Sequence, residues 1–342
     1  MATRDDVARH ANVSPATVSF VLNNTKKISL EVRKRVLEAS RILQYTPNNI
    51  ARSLATKRSR HIGIIFNEIL SASIGEIVTA FEAEARENGY ITSLILSDST
   101  SNGHFADILS RRLDGLFLSL SDCGLSDYEI ESLKNQNVAI VTGDRIVEGL
   151  SSVRCEYYEG MRKLLTHLSK LGHSKVGFLS GLPLEDASNL RCRHFSELAP
   201  QFGIIVKDEY IVEDDYNVSV EGGETGAKRL LERTDVTAII TTNDSMATGA
   251  LKYLRDNNIR VPAEISVCAC DGNSLSHYIN PALTYISSDK KLVGKTMFLK
   301  LKEAMSGASA TISVIPMSLH IGETTGINLL SKRHDEKRDE SQ

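Results

Sequence analysis

The sequence predicts a small all-helical head joined by a short basic segment to a much larger α/β body built on buried parallel sheets. Three observations predict it. The charge is segregated, with a net +8 over residues 1–60 and −11 beyond them in a 342-residue chain whose overall net charge is −3. The first 43 residues carry apolar positions at helical spacing between capping residues. From His61 on, short continuous apolar runs alternate with amphipathic windows, the pattern of buried parallel strands joined by right-handed crossovers.

The composition sets limits on the function classes. With 24% charged and 41% hydrophobic residues the chain is long enough for a sizeable core. No run of about 18 apolar residues occurs, and the start Met1-Ala2-Thr3-Arg4-Asp5-Asp6 lacks a basic-then-apolar leader pattern, so a cytoplasmic protein without a membrane partner is expected. Five cysteines, Cys123, Cys155, Cys192, Cys268 and Cys270, are an odd and scattered set, which points to reduced buried thiols rather than disulfides or a zinc site. The basic head ahead of an acidic body suggests a nucleic-acid-binding module on a domain that does not itself bind phosphate.

In the head, Thr3 followed by Asp6 forms a capping arrangement for a helix over about 4–11. Asn12-Val13 makes a short turn. Ser14 as N-cap and Pro15 at the first helical position start a second helix, about 15–22. Val18, Val21 and Leu22 share a face that packs on Val7, Ala8 and Ala11, whereas Ala16 and Phe20 occupy another. After the polar loop Asn23 to Lys27, Ser29 caps a third helix to about Leu43, with Val32, Val36, Ala39 and Leu43 inward. Two helices across a tight turn inside a basic three-helix unit make a helix-turn-helix, whose second helix enters the major groove.

The run Ala11 to Asn23 closely resembles the head of the lactose/galactose-repressor (LacI/GalR) family of bacterial transcription regulators. Tyr45-x-Pro47-Asn48-x-x-Ala51-Arg52-x-Leu54 resembles that family's hinge, and similar motifs recur to about residue 326. The resemblance implies a helix-turn-helix domain over 1–45, a hinge over 46–60, and a two-lobe effector-binding and dimerisation domain over 61–330. Lobe 1 would span about 61–160 plus 290–318, and lobe 2 about 161–288 plus 320–330. Residues 331–342 are almost wholly polar and are expected to be a disordered tail, without the apolar heptad of a tetramer.

For DNA, the resemblance implies that positions 15, 16 and 20 read bases while Thr17, Ser19 and Asn23 hold phosphates. Thr3 and Ser14, with Asn48, Ala51, Arg52 and Leu54 of the hinge, complete the expected DNA-binding set. Phe20 stands where many members have Arg. Pro15, Ala16 and Phe20 offer no bidentate fork for guanine, so direct reading there is expected to be apolar, for instance of thymine methyls; packing of Phe20 within the head is the alternative. The hinge, with Ile50 and Leu54 one turn apart, makes a helix too short to stand alone in water. The resemblance implies that it orders against a partner hinge and wedges Leu54 into the minor groove; a flexible basic linker is the reading without DNA.

In the body, strands are expected over Ile62–Phe66, Ile91–Leu96, Gly115–Leu120, Val138–Val141, Val176–Leu179, Ala238–Ile240 and Ile265–Ala269. Between them lie helical windows such as Ile74, Ile77, Val78, Phe81 and Ala85, and two α/β units fit, about 61–160 and 161–288. The resemblance implies a type I periplasmic-binding-protein-like core, two lobes joined by three crossings with a ligand in the cleft. Leu171 to Val176, Thr242 to Ala250 and Val261 to Val267 resemble its signatures. Arg191 matches an arginine that forks onto ligand oxygens, Asp271 an acidic contact, Tyr216 a stacking aromatic and Asn243 a polar contact; Asp244 is read as a helix cap. Ala72-Ser73-Ile74-Gly75 departs from the usual pattern. Asn67, Glu68, Ser73, Asp144 and Arg145 are assigned to the first-lobe wall, with Asp144 and Arg145 equally open to a structural ion-pair reading. A forked donor, carboxylate acceptors and a flat ring together suit a sugar or related metabolite.

Enzyme readings lack support. There is no G-x-x-x-x-G-K-[ST], H-E-x-x-H or G-x-S-x-G motif. Gly222 to Gly226 lies within a helical window, and His104, His167, His173 and His194 are isolated. No cofactor or metal is expected. The sequence points to a homodimeric repressor on a pseudo-palindromic operator, controlled by a small-molecule effector; an activator of the same fold and a sugar-binding protein acting through protein contacts are the alternatives.

Overall fold

The computed structural model describes residues 2–23, 26–46, 58–66, 71–96, 104–118, 125–144, 146–184, 189–214 and 217–329. The chain divides into two compact units, residues 1–59 and 60–342. Asn48, Ala51, Arg52 and Leu54 of the hinge, Asn67, Glu68, Arg145, Tyr216 and the 331–342 tail lie outside the described residues.

The first unit is built on α1 (Arg4–Ala11), α2 (Pro15–Asn23) and α3 (Leu30–Ile42). Thr3 and Asp6 form a reciprocal capping box at the start of α1. Asn12 adopts the left-handed conformation with φ 49° and turns the chain toward α2, a geometry that asparagine tolerates better than most residues. Ser14 Oγ accepts the Thr17 amide at 3.1 Å to start α2, and Ser29 Oγ accepts the Val32 amide at 3.4 Å to start α3. Val7, Ala8, Ala11, Val18, Val21, Val36 and Ala39 close the core, flanked by Leu22, Val32 and Leu43. Arg35 is spent on structure, with its guanidinium donating to the carbonyls of Ala11 and Asn12 at 2.8 to 3.1 Å.

The second unit has two six-stranded sheets. The strands are β1 (His61–Phe66), β2 (Ile91–Leu96), β3 (Gly115–Leu118), β4 (Ala139–Thr142), β5 (Ser151–Cys155), β6 (Val176–Leu179), β7 (Ile211–Val212), β8 (Ala238–Thr241), β9 (Ser266–Cys270), β10 (Thr284–Ser288), β11 (Ile312–Ile315) and β12 (Met317–His320). The helices are α4 (Ala72–Glu87), α5 (His104–Ser110), α6 (Asp127–Asn135), α7 (Tyr157–Lys170), α8 (Leu190–Leu198), α9 (Val220–Leu231), α10 (Asp244–Asp256) and α11 (Lys290–Met305). One sheet runs β11-β5-β4-β3-β1-β2, the other β12-β10-β9-β8-β6-β7. Pairing is parallel throughout, except that β12 runs antiparallel to β10.

The chain passes between the sheets three times, at Glu156, Asp289 and Pro316. The crossings at Glu156 and Pro316 fall slightly before the sequence boundaries, whereas that at Asp289 coincides with one. Residues 157–160 begin α7, which packs on β10 and β12 of the second lobe. Met317 and Ser318 already pair with β10, because the single residue Pro316 suffices to pass from β11 to β12.

Strands β5, β7, β10, β11 and β12 fall outside the apolar windows read from sequence. β5 and β10 are largely polar yet mostly buried, and hydroxyls of both are used internally: Ser151 Oγ of β5 accepts the Thr311 amide at 3.1 Å, and in β10 Thr284 Oγ1 pairs with Thr325 Oγ1 at 2.9 Å and Ser287 Oγ donates to the Gly272 carbonyl at 2.8 Å, while the buried Ser152 hydroxyl of β5 has no partner among the described residues. Expected to be buried, β2 instead forms a sheet edge, with Ile91, Leu94 and Leu96 exposed. Phe81 of α4 meets Phe298 of α11 edge to face at 5.8 Å. The glycines of α9 serve packing. A Cβ on Gly223 would lie 2.0 Å from the Met246 carbonyl oxygen, and one on Gly249 of α10 would lie 1.8 Å from that of Val220. Close backbone contact of α9 and α10 therefore accounts for the glycine-rich run.

Candidate functional site

On the head, Pro15 and Ala16 are exposed, and Thr17, Ser19 and Phe20 are half-buried. The hydroxyls assigned to DNA are partly engaged by the head itself. Thr3 Oγ1 donates to Asp6 Oδ2 at 2.6 Å and Ser14 Oγ lies 2.9 Å from Thr17 Oγ1, while Arg4 Nη1 donates to Ser19 Oγ at 3.4 Å. Thr3 and Ser14 thus have demonstrable roles as caps. Phe20 is not buried in the core, and the Lys26 ammonium stands 4.4 Å from its ring centroid.

In the body, the polar residues converge beyond the carboxyl ends of strands, where ligands of open α/β sheets bind. Asp271 follows β9, Arg191 lies in α8 after β6, Asp244 starts α10 after β8, and Asp144 follows β4. Two further residues come from the crossings: Tyr157 just after β5 and Lys290 just after β10. Arg191 Nη2 donates to Asp271 Oδ2 at 2.9 Å and to Tyr157 Oη at 2.6 Å, and Tyr157 Oη donates to the same carboxylate oxygen at 3.2 Å. Lys290 donates to Asp271 Oδ1. The Arg191 guanidinium also lies over the Tyr157 ring at 4.3 Å.

This arrangement decides the charge of each group. Burial alone would raise the Asp271 carboxyl, but the Lys290 and Arg191 cations outweigh it and bring its pKa to about 2. Burial opposes the charge on Arg191, yet the ionised Asp271 beside it keeps the guanidinium protonated. Burial pushes the Tyr157 phenol well above its usual range, so it remains a donor. Asp271 also has φ 72°, a left-handed backbone that costs a side-chain-bearing residue about 1–2 kcal/mol and turns this carboxylate onto both cations.

Two carboxyls nearby lack such compensation. Burial pushes Asp144 up to about 6 even though Arg191 opposes it; its Oδ1 accepts the Cys155 amide at 3.2 Å. Burial and then the Asp271 charge push Asp244 up to about 6 as well, and Asn273 donates to it. Here the structure gives the cap to the neighbouring residue. Asn243 is the N-cap of α10: its Oδ1 accepts the Met246 amide at 2.9 Å and its Nδ2 donates to the Val218 carbonyl at 2.9 Å. Asp244, read as the cap, instead accepts from Asn273. An amide satisfies an acceptor and a donor partner at once, which suits it better to a cap wedged between two helices.

Ser73 in the first turn of α4 is buried with an unpartnered hydroxyl, and Arg191 Nε is likewise buried and unpartnered. The lobes also touch directly where the Ser274 amide donates to Glu76 Oε1 at 3.1 Å. Burial lifts the thiols of Cys155, Cys192 and Cys270 to about 11, 12 and 12, so they stay protonated and are poor nucleophiles. His173 is structural, bonded to Thr237 Oγ1 at 2.8 Å and the Gly326 carbonyl at 3.0 Å.

The structure therefore joins Arg191, Asp271 and Asp144 in one interacting set and adds Tyr157, Lys290 and Asp244. Tyr157 stands beside Tyr158 and Lys290 beside Lys291; only the register of the crossings tells which member of each pair turns inward. What the set offers is charged donors around an ionised acceptor, with two further carboxyls whose pKa values burial raises. It contains no cluster that could hold a metal among the described residues.

A family profile described as "Bacterial regulatory proteins, lacI family" matches residues 3–48, and one described as "Periplasmic binding protein-like domain" matches residues 165–325. The HTH-type transcriptional regulator GalS of Salmonella typhimurium (strain LT2) is 30% identical over 320 residues, 92% of each chain. Catabolite control protein A of Priestia megaterium is 29% identical over 322 residues, 91% of this chain and 95% of that one. The structure of the Lac repressor bound to ONPG in the repressed state superimposes with a TM-score of 0.80 at 28% identity, covering 95% of this chain and 99% of that one. A Lac repressor dimer bound to operator and the anti-inducer ONPF gives 0.78 at 27% identity, with the same coverage.

Proposed function

The chain belongs to the lacI family of bacterial regulatory proteins, and from that premise we infer that it is a sequence-specific DNA-binding repressor whose operator affinity is set by a small molecule held between its lobes. No helix among the described residues is long and apolar enough to cross a membrane, and a repressor works beside the chromosome, in the cytoplasm. The Lac repressor binds its operator as a dimer. A two-fold dimer of this chain would set two α2 helices into successive major grooves of a pseudo-palindromic site, with the hinge pair between them.

The observation that carries the effector half is the Asp271 carboxylate, held ionised by Arg191 and Lys290 beside the two crossings that supply Tyr157 and Lys290. A ligand touching this set acts directly on the segments about which the lobes rotate. Arg191 and Ser73 would donate to it, and Asp144 and Asp244 would accept from it, a pattern suited to a sugar or a related polyhydroxylated metabolite. Asn67 and Tyr216 are further proposed contacts. The effector acts only to the extent that it binds one lobe arrangement more tightly than the other.

Selection of genomic fragments by the purified full-length protein, followed by footprinting, tests this reading. Short palindromes protected symmetrically about a central step are expected, with affinity falling steeply as salt rises. Release or retention by metabolites that fails in an Arg191→Met variant would identify the cleft as the effector site. Protection without palindromic symmetry, or an unchanged response in that variant, would refute the corresponding half.

A further inference from the structure

The recognition helix α2, PATVSFVLN, contains no basic residue, so it lacks the donor fork with which proteins most often read guanine. Nearby cations are largely committed: Arg35 to the carbonyls of Ala11 and Asn12, Arg9 to Asp6 at 2.9 Å, and Arg4 to Ser19. Lys26 is placed differently. It is exposed in the segment after α2, and its ammonium stands 4.4 Å over the ring of Phe20, a residue on the face of α2 turned away from the core.

The attraction between an ammonium and an aromatic face is modest at an exposed site, but it has two consequences for recognition. It covers one face of the ring, leaving less of Phe20 free to meet thymine methyls. It also brings a positive charge with three N–H donors onto a helix face that carries no charge of its own. We propose that Phe20 and Lys26 form a composite base reader, in which the ring holds the lysine ammonium in place to donate to O6 and N7 of a guanine in each half-site. The inference rests on α2 lying in the major groove. The ring replaces the packing by which a longer, rigid side chain on the helix would be aimed, and the loop supplies the charge.

The test is competition binding of the full-length protein to its selected operator and to every single-base-pair change of the half-site. Wild type, Lys26→Met, Lys26→Arg, Phe20→Leu and Ala16→Gln are compared, with thermal melting followed by circular dichroism to verify folding. Lys26→Met and Phe20→Leu should each erase about a tenfold preference at one and the same symmetry-related G·C pair, leaving the other positions unchanged, and Lys26→Arg should keep it. If Lys26→Met instead weakens all sequences equally and lowers the salt slope by about one, Lys26 is a phosphate contact and the proposal falls. It falls too if Phe20→Leu alters a different pair. Ala16→Gln separates the premise: no change in base preference at any position in either the Ala16 or the Lys26 variants would remove α2 from the groove and the inference with it.

Discussion

Replacing Lys290 by methionine removes one of the two cations from Asp271 while retaining most of the buried stem. The side chain of Lys290 is 4% exposed and that of Asp271 16%, so water cannot replace the lost charge. The fall of the Asp271 pKa from 3.8 to about 2 corresponds to about 2 kcal/mol favouring its ionised form in the folded protein, and Lys290 is the larger of the two cationic causes. Breaking a buried pair on one side costs about 3–5 kcal/mol when nothing else compensates the remaining charge. Asp271 keeps Arg191 at 2.9 Å and the Tyr157 hydroxyl at 3.2 Å, which places the expected loss near about 2 kcal/mol. Urea unfolding of wild type and Lys290→Met at pH 7.5, followed by circular dichroism because the chain has no tryptophan, measures it. The pH dependence has a defined sign. A depressed carboxyl contributes stability above its unfolded pKa and loses it as pH falls through the folded one, so the wild-type contribution fades from about pH 4 toward pH 2. A Lys290→Met protein as stable as wild type at pH 7.5 would refute the view that this pair holds the crossings together.

The carboxyls lifted to about 6 behave in the opposite sense: folded Asp144 binds its proton more tightly than unfolded Asp144, so stability is lost as pH rises from about 4 through 6. Asp144→Asn should therefore gain about 1–3 kcal/mol at pH 7.5 and little at pH 4, which paired urea titrations would detect. Gly249→Ala, whose Cβ would fall 1.8 Å from the Val220 carbonyl oxygen, should lower stability by about 3 kcal/mol or more by forcing α9 from α10; an unchanged urea midpoint would contradict that contact. Leu54→Ala should weaken operator binding by more than it weakens non-specific binding, and equal losses on both DNAs would remove its wedge role.

Local signals account for much of what the sequence yields. The caps at Thr3, Ser14 and Ser29 announce helix starts because each needs only a side chain and amides within three residues. The head core follows from helical spacing over forty residues. Apolar runs such as Val176–Leu179 declare parallel strands because both faces of such a sheet are buried. Arg191 and Asp271 were legible through resemblance of their motifs to a known family, before any geometry.

Tertiary structure decided what depends on partners distant in the chain. The polar strand β10 is buried because other segments satisfy its hydroxyls, as Thr325 does for Thr284. Asn243 and Asp244 are adjacent and both suit a cap, and only the approach of Val218 assigns the amide to it. Lys290 reaches Asp271 across 19 residues, and Arg191 does so across 80. Periodicity reports which face of an element is apolar; the pairing of charges is fixed by where chain crossings bring separate strand ends together, and that distance is not encoded in any local window.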